Sequence, residues 1–218
     1  MKESPLKIDK EFIRFALAFS TFAIFSILTG WKFGYVPAGI FVALIIFSAY
    51  FFRDPPRTAP EDENAVLSPA DGRVVFVGIT DDPALGKVHR VAVFMSLWDV
   101  HVCRSPAGGI VELLDHRDGG YFRADSPESA SRNESQDLFI RSEFGPLGVR
   151  LIAGKIARRI LVRVSRGDEM FAGQRIGLIR FGSRAEILVP VESAEPAVKK
   201  GDRVRAGESV LARWKISP

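Results

Sequence analysis

The sequence predicts an α+β fold, a mostly antiparallel β domain with a hybrid-barrel-like repeat, preceded by an N-terminal hydrophobic helical hairpin. Three observations carry that expectation. Two apolar runs crowd the stretch from residue 15 to residue 52. Short β-branched runs separated by turn residues fill the chain from about residue 65 onward. One ten-residue pattern occurs twice within that β region.

The apolar runs are FALAFSTFAIFSILTG (15–30) and YVPAGIFVALIIFSAYFF (35–52), separated by WKFG. Each is close to the roughly 20 residues that cross a bilayer core. A cleaved leader is disfavoured, because the second run follows at once without a small-residue cleavage site. Trp31, Tyr35, Tyr50 and Phe52 stand at the run ends, where aromatic rings anchor at the membrane interface. Membrane attachment is therefore expected over a helical hairpin buried in a soluble protein. Lys2, Lys7, Lys10 and Arg14 precede the first run, Lys32 lies between the runs, and Arg53 and Arg57 follow the second. The positive-inside rule then places both ends in the cytoplasm. The segment is read as two spans, or as a re-entrant hairpin broken at Gly30, Gly34 and Pro37, with the rest of the chain on the cytoplasmic side of the cell membrane. The sole cysteine, Cys103, excludes an internal disulfide framework and fits a reducing compartment.

RDPPRTAPEDEN (53–64) is a linker, since paired prolines and a charge run extend neither a helix nor a central strand. The expected division is an anchoring hairpin and linker at 1–57 and a second domain at 58–218. Strands are expected at 72–79, 89–97, 138–144, 148–154, 158–164, 177–181 and 185–190. VSRGDEMFAG (164–173) and VKKGDRVRAG (198–207) share Val, Gly, Asp, Ala and Gly at a constant spacing of 34 residues. Such turns resemble those of biotinyl/lipoyl-type hybrid barrels, and a membrane-anchored adaptor or carrier of that kind is one functional reading. The lysine a carrier presents between its half-motifs is missing, and RFGSRAEILVP (180–190) stands there instead.

Gly182-Ser183 within that stretch reads most simply as a bulge in a strand. It also has the composition for self-cleavage. A serine hydroxyl that attacks the preceding carbonyl shifts the acyl group from nitrogen to oxygen, and elimination followed by hydrolysis leaves a pyruvoyl group and ammonia. That chemistry asks for an unhindered carbonyl, a strained backbone and an acid-base group nearby.

SPADGRV (68–74), WDVHVCRSPAGG (98–109), RNESQDLFIRSEFGPLGVRLIAGKIARRI (132–160) and RGDEMFAGQRIGLIRFGSRAEILVP (166–190), in that order, resemble the phosphatidylserine decarboxylase family, in particular its short bacterial form. The resemblance covers essentially the whole chain. It implies a cut between Gly182 and Ser183, giving chains 1–182 and 183–218 that stay together as a heterodimer, with a homodimer of that unit as a further expectation. It implies a covalent pyruvate cofactor made from Ser183, and decarboxylation of phosphatidylserine in the membrane to phosphatidylethanolamine for phospholipid biosynthesis. Asp71 matches the acidic position used in self-cleavage and His101 the histidine assigned to proton transfer. Arg104 stands where the long form has a second histidine, so the base for cleavage is left between His101 and Asp71. Asn133 and Glu134 are candidate headgroup contacts, or else a solvated loop. Arg104 and Arg184 are candidate partners for the lipid phosphate, whose geometry suits a guanidinium, or else surface charges.

The formal net charge of +4 fits an anionic membrane substrate. Lys199, Lys200, Arg203 and Arg205 cluster without interleaved aromatics to stack bases, which argues against nucleic acid. No metal-ligand spacing, P-loop or dinucleotide fingerprint occurs. The alternatives kept beside the decarboxylase are the adaptor without catalysis, an uncleaved relative that only binds, and a decarboxylase of a related ether-lipid serine headgroup.

Overall fold

The apolar runs form two helices, α1 (Glu11–Leu28) and α2 (Tyr35–Phe51). The coordinates are a computed structural model that describes residues 7–29, 35–124, 126, 128–154, 159–180 and 182–215. They separate into two units, Met1–Pro56 and Arg57–Pro218. In the first, β1 (Lys7–Ile8) pairs antiparallel with β2 (Arg53–Asp54), which draws the ends of the helical pair together. The Asp9 carboxylate accepts the Glu11 N–H at 3.0 Å and so satisfies one of the free donors at the start of α1. Between the helices, Phe41 stacks on Phe19 and Phe22.

Leu17, Phe22, Phe25 and Leu28 of α1 are exposed. At 18 residues and a mean hydropathy of 1.7, α1 is long and apolar enough to cross a membrane. Only 11% of it is buried within the protein, so most of its apolar surface stays open. α2 is one residue shorter. Pro37 is its third residue, in the first turn, where a missing N–H costs nothing. It therefore starts a helix instead of breaking one. Gly30 and Gly34 lie outside the described residues.

The second unit is mostly antiparallel β, as expected. Its elements are β3 (Ala65–Leu67), β4 (Gly72–Asp82), β5 (Gly86–Met95), β6 (Val102–Arg104), β7 (Gly109–Arg117), α3 (Ser129–Arg132), β8 (Ser135–Ser142), β9 (Gly145–Ile152), β10 (Ile160–Val162), β11 (Glu169–Met170), β12 (Arg175–Ile179), β13 (Ser183–Pro190), β14 (Ala194–Pro196), β15 (Arg203–Val204) and β16 (Val210–Trp214). Eight strands form one curled sheet in the order β11-β7-β8-β9-β13-β5-β4-β15. Two three-stranded sheets, β10-β12-β6 and β14-β16-β3, complete the unit. A shared core includes Val91, Val93, Leu147, Val149 and Ile187 of the large sheet and Ile176, Ile179 and Leu211 of the small ones.

The repeat in the sequence is the visible part of a duplication of the whole unit. From its centre the large sheet reads β9, β8, β7, β11 in one direction and β13, β5, β4, β15 in the other. Ile160 and Ala194 open equivalent strands 34 residues apart, and so do Glu169 and Arg203. Pairing irregularities also correspond, at Val74/Phe76 and Val111/Leu113 in the large sheet and at Arg175/Gly177 and Val210/Ala212 in the small ones. The repeated turns close alike. The Asp202 carboxylate accepts the Lys199 N–H at 2.9 Å, the Asp168 carboxylate accepts the Ser165 N–H at 2.8 Å, and Gly201 and Gly167 each donate to a β-strand carbonyl, of Val74 and Val111, at 2.8 Å.

Two expectations need correction. The run 178–190 is not one strand with a glycine bulge: β12 and β13 belong to different sheets, and Gly182-Ser183 is the junction between them. β7 was not expected at all. Leu113-Leu114 among Glu112, Asp115, His116 and Arg117 destroys the alternation that marks a strand, and β7 forms because its backbone pairs with β8 along seven residues.

Gly72 and Gly109, 37 residues apart, are equivalent close-approach positions, both at φ 150°. A Cβ there would lie 2.0 Å from the Phe94 carbonyl oxygen and 2.3 Å from that of Arg141. Gly72→Ala and Gly109→Ala are each expected to destabilise the fold by about 2 kcal/mol or more. Thermal unfolding of detergent-solubilised protein checks this, and a near-neutral effect at either glycine would show that the two hairpins are not built alike.

Candidate active site

Ser183 opens β13, the strand held between β5 and β9 at the middle of the large sheet. Its register partner in β5 is Met95, and the next row runs Arg73, Phe94, Arg184 across β4, β5 and β13. At ~4.8 Å per strand, the start of β4 lies about 10 Å from the start of β13. Ser183 is fully buried, while Gly182 before it is half-exposed. The Ser183 hydroxyl donates to the Arg180 carbonyl at 3.2 Å.

Gly182 has φ +68°, and no atom lies within 4 Å of where a Cβ would stand. Glycine enters this left-handed region without penalty. The junction therefore requires glycine without storing backbone strain, which corrects the expectation of a strained bond. What it supplies is open space on the side of Gly182 where a side chain would stand.

His101 reaches the same end of the sheet from the other side of the chain. Residues 96–100 connect β5 to β6, and the Ile179 N–H donates to the His101 carbonyl at 3.2 Å. His101 and Ser183 thus belong to one short ring of chain, closed at Met95–Ser183 by the ladder and at His101–Ile179 by this bond. The imidazole is fully buried, with Nδ1 2.9 Å from the Asp99 carbonyl. A carbonyl only accepts, so Nδ1 carries the proton in the neutral ring and Nε2 keeps the lone pair.

Asp71 precedes β4 at this end. Its Oδ1 accepts the Ala206 N–H at 2.8 Å and its Oδ2 pairs with Arg57 at 2.7 Å. Burial pushes its pKa up, and the Ala206 N–H and Arg57 partly offset that rise. Its charge is felt at Asp99 and at Cys103, the neighbours of His101. The carboxylate oxygens are thus spent on Ala206 and Arg57, not on Ser183. Burial, and secondarily the Asp71 charge, push the Cys103 thiol up to about 12, so it stays a neutral core side chain.

The remaining expected residues sit deeper than surface contacts do. Arg104 is buried, and its guanidinium donates to the Gly173 carbonyl at 3.0 Å. Arg184 points to the face of β13 opposite Ser183 and meets the buried Glu186 at 2.5 Å. Asn133 is a clasp: its side chain donates to the carbonyls of Phe122 and Ala153 and accepts the Phe122 N–H. Glu134 accepts from the Tyr121 hydroxyl at 3.1 Å. Arg57, Asp99, Ala206 and Glu186 were absent from the expected site. Arg57 reads in sequence as one more linker charge, and nothing local links Asp71 to Ala206, 135 residues away.

The duplication supplies an internal comparison. A cavity of about 850 Å³, lined in part by Leu67, Gly109, Phe144, Met170 and Trp214, occupies the corresponding end of the other half. By the strand equivalences, Asn64, Gly108 and Gly145 stand there where His101, Asp71 and Ser183 stand here. Gly108 lines the cavity, whereas His101, Asp71 and Ser183 do not. His101, Asp71 and Ser183 are thus confined to one half, and their counterparts Gly108 and Gly145 carry no side chain.

A family model described as phosphatidylserine decarboxylase matches residues 44–212, more than three quarters of the chain, and the match includes Asp71, His101, Asn133, Gly182 and Ser183.

A carboxyl whose pKa is raised on folding contributes stability that is present below its unfolded value and lost as pH rises through the folded one. Arg57→Met removes a contribution that lowers the Asp71 pKa, so that loss is expected to extend to higher pH. The buried carboxylate left behind is expected to cost about 3 kcal/mol near neutrality. Unfolding midpoints should therefore fall more at about pH 7.5 than at about pH 5. Equal falls at both would show that Asp71 does not titrate between them.

Proposed function

The chain belongs to the phosphatidylserine decarboxylase family, a carboxy-lyase of phospholipid biosynthesis, and we propose that it prepares itself for that reaction by breaking its own Gly182–Ser183 bond. The observation that carries this reading is the junction between β12 and β13, where a left-handed glycine with open space on its side-chain flank precedes a fully buried serine.

In the proposed sequence the Ser183 Oγ attacks the Gly182 carbonyl carbon. The C–N bond breaks, an ester forms, and the proton lost from Oγ ends on the Ser183 nitrogen. Removal of the Ser183 Cα proton then expels Gly182 as a carboxylate and leaves dehydroalanine. Its imine tautomer takes up one water and releases one ammonia, which leaves pyruvoyl at the head of chain 183–218. Burial of Ser183 supports retention of the new group within the fold, and the half-exposed Gly182 supports entry of the water. The pyruvoyl carbonyl, in line with the family's known chemistry, supplies the electron sink for loss of carbon dioxide from the serine headgroup.

His101 is the proton carrier in this reading, with Nδ1 donating to the Asp99 carbonyl and the lone pair of the neutral ring on Nε2. Asp71 acts with His101 through its charge, since its oxygens are engaged by Arg57 and Ala206. The product is phosphatidylethanolamine, and the two cut chains remain one folded unit. The hairpin 1–57 holds this unit at the cell membrane, on the cytoplasmic side by the distribution of Lys2, Lys7, Lys10, Arg14, Arg53 and Arg57.

Ser183→Ala is expected to leave a single uncut chain without decarboxylase activity. Asp71→Ala is expected to leave the chain uncut, and His101→Ala to slow turnover roughly 10²–10⁴-fold. Hydroxylamine, which consumes a ketone, should abolish activity of the wild-type protein. Full decarboxylation by Ser183→Ala would overturn the proposal.

A further inference from the structure

The end of the sheet that carries Ser183 and His101 also carries an exposed aromatic and a concentration of positive charge. Trp98, in the connection from β5 to β6, is 67% exposed. Its neighbour Asp99 holds the His101 ring and pairs with Arg203 at 3.4 Å, which ties this connection to β15. Arg203 is in register with Arg73 at the start of β4, and the Arg73 guanidinium donates to the Gly201 carbonyl of the adjoining turn. Arg73, Lys199, Lys200, Arg203 and Arg205 are all exposed there. Among the acids nearby, Asp202 accepts the Lys199 N–H, Asp99 faces Arg203, and Asp71 and Glu208 are engaged by Arg57.

The duplication shows that the fold does not need this charge. The equivalent turn places Ser165, Arg166, Glu169 and Phe171 where Lys199, Lys200, Arg203 and Arg205 stand, and it closes with the same hydrogen bonds at the same lengths within 0.1 Å. Of these four cations only Lys200 has a cationic counterpart, Arg166, so the concentration of charge belongs to this half. An exposed indole beside several cations is the chemistry of an anionic membrane surface: the ring settles among headgroups, and each cation near the surface strengthens attachment.

We propose that Trp98, Arg73, Lys199, Lys200, Arg203 and Arg205 form a second membrane contact, by which the catalytic unit seats the end of the sheet that carries Ser183 and His101 on an anionic bilayer independently of the N-terminal helices. The inference rests on the lipid reading of the site, and it assigns to that site a surface that selects membranes rich in acidic lipid.

The experiment uses full-length protein in vesicles of phosphatidylcholine with or without phosphatidylserine. The chain has three tryptophans, Trp31, Trp98 and the buried Trp214. In a Trp31→Phe background, the emission lost on adding Trp98→Phe belongs to Trp98. That emission is expected to be quenched by lipids brominated near the headgroup end of their acyl chains, and shielded from aqueous acrylamide, when phosphatidylserine is present. Lys199→Glu with Lys200→Glu should reverse both effects and raise the apparent KM for phosphatidylserine in vesicles by about ten-fold, with turnover of a dispersed short-chain substrate unchanged. Trp98 emission open to acrylamide and untouched by brominated lipid would overturn the proposal, and so would shielding that persists without vesicles, which would indicate a protein contact. Quenching does not depend on chain cleavage, so electrophoresis of the same samples separates failure of this inference from failure of the decarboxylase reading.

Discussion

The backbone ladder of β13 is the interaction on which the rest of the site depends. This strand pairs with β5 along eight residues and with β9 along five, and both of its faces are covered. Ala185, Ile187 and Val189 enter the shared core, while Arg184, Glu186 and Leu188 are buried on the other face. A cut immediately before Ser183 removes none of these pairings. The fragment from residue 183 onward also keeps β14 and β16 in one small sheet and β15 beside β4. The position of residue 183 is therefore set by hydrogen bonds that do not pass through the Gly182–Ser183 bond, which is what the proposed cut requires.

The duplication explains why so much structure surrounds so few reactive groups. Both halves build a long hairpin, a flanking two-residue strand and a glycine-closed turn, and each half completes the sheet of the other at β9 and β13. One half then carries His101, Asp71 and Ser183, and the other carries Asn64, Gly108 and Gly145. Arg104 belongs to the shared framework, because its guanidinium is bound to the Gly173 carbonyl and its stem packs near Gly207, the closing glycines of the two repeated turns. Arg104 is thus a strut between the two halves.

The apolar hairpin, most β-runs and the G-D turn repeat were legible in the sequence, since each is written in contiguous residues. The extent of the duplication was not. Equivalent residues are 34 apart in the turns but 37 apart between β4 and β7 and 38 apart between β9 and β13, so no single spacing reveals it. Ser183, His101 and Asp71 stood out through the motifs around them. The roles of Arg57 and Ala206 did not, because they arise only when β15 docks beside β4. The supposed strain at Gly182 failed for a related reason: the pattern around it resembles one strand, and the turn between sheets that gives glycine a comfortable φ is a tertiary fact.

The account is tested most directly by intact-mass analysis of the purified wild-type protein under denaturing conditions. It requires two chains, residues 1–182 and residues 183–218, the smaller lighter by one ammonia than a serine-started peptide and shifted further by borohydride reduction. A single uncut chain of 24.1 kDa with full decarboxylase activity would contradict it.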